Sequence, residues 1–105
     1  MSPQDFQENE ARLIEELRQL ARRGATVIQM VHHLHLEPNR CGRVTIFVLF
    51  IRAFHLSIPD VNIIGALRMF EGDRGRPDEV IEEDVYPHVA RWLEQHPTLT
   101  EEELG

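Results

Sequence analysis

The chain has no lysine, and all eleven of its Lys+Arg positions are arginine. Lysine chemistry such as Schiff-base formation is thereby excluded. Arginine usage this complete reads mainly as nucleotide bias in a bacterial genome, with planar bidentate pairing a lesser reason. There is a single cysteine, Cys41. No intramolecular disulfide can form, so a secreted disulfide scaffold is excluded and a reducing cytoplasmic setting is expected. Long apolar runs are missing too. The most apolar stretch, Val44 to Ile51, is eight residues between Arg43 and Arg52, whereas a bilayer span needs about twenty. The first thirty residues hold Asp5, Glu8, Glu10, Glu15 and Glu16 without a continuous apolar segment, so no signal peptide is expected. Phosphate-binding and dinucleotide-binding glycine patterns are absent, since Gly72 and Gly75 follow no strand, and no serine sits in a nucleophile elbow.

What is present fits one domain. A chain of 105 residues buries roughly two-thirds of the surface that its unfolded form exposes, enough to fold without staples. The net charge of −7 is unevenly placed: residues 71–105 carry eleven acids against three arginines, while residues 24–70 carry two acids against four. An acidic chain with an acidic final third is a poor ligand for nucleic acid or anionic membranes and a better one for a basic protein. An acidic face that only aids solubility is the simpler alternative.

Ser2-Pro3 reads as N-cap and first helical residue, with Asp5 favourable in the first turn, and Gly24 as the stop. Between them Phe6, Leu13, Leu17 and Leu20, with Ile14, form one apolar stripe. Thr26 caps a second element to Leu36, with Val27, Val31 and Leu34 on one face. Its residues Ile28, Met30, Leu34 and Leu36 also alternate as a strand would, so a hairpin of 26–36 with 43–51 competes. The stretch 40–54 is apolar around nearly its whole circumference except for Cys41, Thr45 and Arg52, as suits a helix packed on by several others. Leu56-Ser57-Ile58-Pro59-Asp60-Val61 is a capping box with a hydrophobic staple. Gly65 then reads as a C-terminal glycine or as the site of a close crossing. Residues 71–77 are expected as an exposed loop. Asp78 begins a last helix with Val80, Ile81, Val85, Val89, Trp92 and Leu93 inward, kinked or broken near Pro87 and stopped at His96-Pro97. The expected fold is all-α: a compact bundle of about five helices around a central buried helix at residues 40–54, the alternative being α+β with the hairpin. One helical domain spans 1–97, and 98–105 form a short acidic tail with a small capping box at Thr100 and Glu103.

Several constellations bear on chemistry. His32, His35, Cys41 and His55 offer metal-ligating atoms, but their spacing matches no familiar zinc pattern, and no metal or other cofactor is expected. Cys41 would need a base to act as a nucleophile, although Arg40 and Arg43 could lower its pKa at a helix start. Glu79, Glu82, Glu83 and Asp84 on one exposed helix suit a solvated face better than acid–base catalysis. A helix-turn-helix reading of 26–36 and 39–54 places Arg40 and Arg43 near phosphate, yet the body of the second helix lacks side chains for base edges.

The expectation is therefore a non-enzymatic protein-binding module, an adaptor, inhibitor or immunity-type protein, with a basic protein partner. Two surfaces could serve. One is Met69, Phe70, Glu71, Asp73, Arg74 and Arg76, whose residue types are those of interface centres; the other is the acidic face Glu79, Glu82, Glu83 and Asp84. A small DNA-binding regulator is the alternative function. A homodimer becomes plausible if the Cys41–Thr45–Arg52 stripe is uncovered with Val48 and Leu49 beside it.

Overall fold

Leu13, Leu17 and Ala21 recur every four residues, which on a helix of 3.6 residues per turn sets them on one side. They are buried along α1 (Pro3–Arg22), with Ile14 and Leu20 packed beside them. The structure is a computed structural model and describes residues 3–36 and 38–96, with side chains from residue 8 onward. The expected N-cap Ser2, the place of Phe6 in the stripe, the stop at Pro97 and the 98–105 tail lie outside the described residues. Past Arg22 the chain turns: the Ala25 N–H donates to the Leu20 carbonyl at 3.0 Å and the Gly24 N–H to Ala21 at 3.0 Å, the paired bonds of a Schellman stop.

Helix α2 (Val27–His35) opens on a reciprocal cap. The Gln29 N–H donates to the Thr26 hydroxyl at 3.0 Å and the Thr26 N–H to the Gln29 side chain at 2.8 Å. The cap satisfies two helix-end amides, and burial then follows helical spacing, with Val27, Met30, Val31 and Leu34 inside. The strand-like alternation is coincidental, since Leu36 is 56% exposed. The hairpin is thereby corrected. Both of its arms are helices, and among the described residues the only β-bridge is an isolated one between Leu67 and Arg76.

Helix α3 (Arg43–Phe54) starts later than residue 40, with Gly42 in the N-cap position. It buries Ile46, Leu49, Phe50, Ala53 and Phe54, while Val44 is 71% exposed and Arg43 and Arg52 face solvent. It is thus buried along one side and not all round. α1 packs along it, and α2, α4 and α6 also touch it.

In α4 (Ile58–Val61) the Ser57–Asp60 capping box forms as the sequence predicts, and the staple residues Leu56 and Val61 are both buried. The chain then tightens into a 3-10 turn, Asn62–Ala66. Gly65 lies inside that turn and does not end it: a Cβ there would sit 2.7 Å from the Phe47 ring. Close crossing of α3, the second of its two readings, is its role. The expected exposed loop, 71–77, is partly helical: Glu71 closes α5 (Arg68–Glu71) and Gly72–Arg74 form a 3-10 turn. It folds back on itself because the Arg76 N–H reaches the Ala66 carbonyl at 2.6 Å. Gly75 permits this, for a Cβ at that position would lie 2.5 Å from the Arg68 Cα.

Helix α6 (Asp78–Gln95) runs unbroken through Pro87, so of the two expectations there the break is corrected. Proline removes one helix hydrogen bond, which matters least where water can take its place. Pro87 is exposed, and Ile81, Val85, Val89 and Trp92 hold both halves of the helix on the core. Where α1, α3 and α6 meet, Trp92 packs edge-on to Phe54 with ring centroids 5.4 Å apart. The guanidinium carbons of Arg18 and Arg22 each lie 5.4 Å from the Trp92 ring, and Arg18 Nε donates to the Ala53 carbonyl at 2.9 Å. The molecule is an all-α helical bundle. No single helix among the described residues is long and apolar enough to cross a membrane.

Candidate functional site

Successive residues on an α-helix are rotated by about 100°, and that rotation divides the carboxylates of α6. Glu79 and Glu83, four apart, share an outward side with Tyr86. Glu82 turns toward α2, where its two carboxylate oxygens accept the Val27 N–H at 2.9 Å and the Ile28 N–H at 3.1 Å. A carboxylate at a helix N-terminus satisfies amides that have no partner within the helix and meets the positive end of the dipole. Glu82 is therefore a tie between α6 and α2. Asp84 points to a third side, the one that carries His88, whose Nε2 lies 3.5 Å from Asp60 Oδ1. The acidic face expected from Glu79, Glu82, Glu83 and Asp84 is not one surface. Its outward part is Glu79 and Glu83, both exposed, beside a Tyr86 that is 39% exposed.

Pro87 adds a second feature to that side. Having no N–H, it cannot donate to the Glu83 carbonyl four residues back, so this carbonyl lacks its usual helix partner. Opposite α6 stand Gly24, Ala25 and Thr26 of the α1–α2 turn, and together with Glu82, Glu83, Tyr86 and Pro87 they enclose an open groove of about 410 Å³. From the sequence Gly24, Thr26 and Pro87 read only as a helix stop, a cap and an interruption, and Tyr86 carries no reading. The spacing of Tyr86, three residues after Glu83 and seven after Glu79, was the available signal.

The other predicted surface is more committed to the fold. Met69 and Phe70 pack on the core, with the Phe70 ring 5.1 Å edge-on from His35 and 5.9 Å from the Arg43 guanidinium. Glu71 is paired with Arg43, which also donates to the Gly65 carbonyl at 3.3 Å. Asp73, Arg74 and Arg76 remain exposed, and their mixed signs largely cancel.

The four potential metal ligands do not converge. His35 Nδ1 donates to the Cys41 backbone carbonyl at 3.1 Å and not to its thiol. His55 lies beyond the far end of α3, and twelve helical residues span about 18 Å. Among the described residues no group of three or more His, Cys, Asp or Glu is placed to hold a metal ion. Cys41 is buried, and that burial pushes its thiol pKa up, with Arg12 only partly opposing it. This reverses the lowering expected from Arg40 and Arg43, and a protonated buried thiol is a poor nucleophile.

The stripe on which a homodimer depends is only partly uncovered: Cys41 and Leu49 are buried, Thr45 and Val48 are half-buried, and Arg52 is exposed and paired with Glu10. Val44, Thr45 and Val48 do line a groove of about 230 Å³ between α1 and α3. Comparison of the chain with protein-family models, with curated proteins and with solved structures finds no match.

Proposed function

We propose that the chain is a non-enzymatic binding module that acts in the cytoplasm on a basic protein, as an adaptor, inhibitor or immunity-type antidote, through the outer side of α6. The observation that carries this reading is the row Glu79, Glu83 and Tyr86 on one exposed side of an 18-residue helix. Some acids elsewhere are paired within the chain: Glu10 with Arg52, Glu16 with Arg12 and His33, and Glu71 with Arg43. The outer carboxylates of α6 have no such ion pair among the described residues. Charges left open on a rigid helix steer a partner of opposite sign, and an aromatic ring among them supplies contact area at little ordering cost. Asp73, Arg74 and Arg76 lie just before this helix and extend the surface at its N-terminal end.

The test is capture by the tagged, full-length chain from extracts of its native cells, with E79Q/E83Q alongside. A single basic protein held in stoichiometric amount, released by salt and lost from E79Q/E83Q, is the expected result. Equal retention by the variant would contradict the reading. The DNA-binding alternative has less support, because Arg43 is engaged by Glu71 and α3 sends its apolar side into the core. Duplex binding at low salt should be undetectable.

A further inference from the structure

Resting on that reading, we propose that the groove between the α1–α2 turn and α6 receives an arginine side chain of the basic partner. Charge alone would not choose between arginine and lysine, but the chemistry of the groove does. Its α6 wall is lined by Glu83, Tyr86 and Pro87, and Pro87 leaves the Glu83 carbonyl without its usual helix donor. A guanidinium is planar and carries five N–H donors in a fixed fork. It can therefore meet a carboxylate with two donors, a carbonyl with a third, and lay its face on an aromatic ring. An ammonium is a compact, strongly hydrated point charge that can take one of these partners well.

The opposite wall leaves room for the stem. Gly24 presents no side chain, and a Cβ built there would meet no atom within 4 Å. Ala25 is small, and the Thr26 hydroxyl is occupied by the Gln29 N–H. The methylene stem of an arginine can lie along such a wall while its head reaches the acceptors. Glu82, in the same groove, has both oxygens engaged by the α2 amides, which leaves Glu83 as the carboxylate that answers the ligand. An anionic ligand would face both carboxylates and is disfavoured.

The probes are three capped tripeptides, acetyl-Gly-X-Gly-amide with X arginine, lysine or citrulline, titrated into the full-length protein and followed by amide NMR shifts. The arginine peptide should move the amides of Gly24, Ala25, Thr26, Glu83 and Tyr86 saturably, roughly five-fold more tightly than the lysine peptide. Citrulline, which keeps the shape but not the charge, should produce no saturable shift. Y86L should reduce arginine binding to the lysine level, and E83Q should weaken both. Equal affinity for arginine and lysine, or shifts confined to other parts of α6, would overturn the arginine groove while leaving the acidic surface standing. Absence of any shift along α6 with either cation would overturn both.

Discussion

Glu82 and Glu83 are chain neighbours of like charge on one helix, and about 100° of rotation separates what they do. Glu82 spends its carboxylate on the two opening amides of α2. Glu83 faces solvent beside Tyr86 with no ion pair among the described residues. The inner side of α6 thus joins helices, through Ile81, Val85, Val89, Trp92 and one carboxylate, while the outer side makes no comparable commitment. Acidic content says little about recognition until each carboxylate is assigned a direction.

Substitutions that act on the two sides should separate in size. Trp92→Ala, which empties the junction with Phe54 and removes the ring under Arg18 and Arg22, should cost about 3–5 kcal/mol in urea unfolding. Glu82→Ala leaves two α2 amides without their acceptor and should cost about 1–2 kcal/mol by the same measurement. Asp60 of α4, which His88 on the third side of α6 faces, comes next. Its carboxylate accepts the Ser57 N–H at 2.9 Å, and this bond, with the Ser57 side chain and weaker contributions from His88 and Arg91, holds its pKa below the ordinary aspartate value. The folded state therefore binds this proton less readily than the unfolded state. The contribution is present above the unfolded pKa and is lost as pH falls through the folded one. Asp60→Asn should lower stability by about 1 kcal/mol at neutral pH and flatten the acid limb of the stability profile. The smallest change belongs to the outer side, where Glu83→Gln should shift stability by no more than about 0.5 kcal/mol. A cost from Glu83→Gln as large as that from Glu82→Ala would erase the distinction between the sides. Cys41 supplies a check away from α6: with its thiol buried and its pKa raised, alkylation at neutral pH should be slow until the chain is unfolded.

Much of the fold was legible because its signals are local. The four-residue spacing of Leu13 and Leu17, the Ser57–Asp60 box and the inward run of Ile81, Val85, Val89 and Trp92 each depend on residues within a few turns. The Thr26–Gln29 box is equally local, and its glutamine favours helix over hairpin for 26–36. What could not be read was direction and reach. Pro87 breaks helices in general, but its cost here depends on facing solvent, a fact of the tertiary fold. The segment 71–77 looks like a loop by composition, yet it opens on the end of α5 and a 3-10 turn, and Arg76 bonds back to Ala66. Of the candidate surface, Glu79 and Glu83 are both placed outward, whereas Glu82 and Glu71 are each drawn into contacts with residues distant in sequence. The aromatic member of the surface, Tyr86, stands between Val85 and Pro87, which give no local signal of the direction it faces.

The most direct test of the division between the two sides of α6 is the affinity of the E79Q/E83Q protein for the captured partner, measured beside wild type at the same low salt and after matching their unfolding curves. The account predicts unchanged unfolding with binding weakened by about ten-fold or more, the loss of two charge-assisted contacts. An affinity equal to that of wild type, in a protein that is equally well folded, would contradict it.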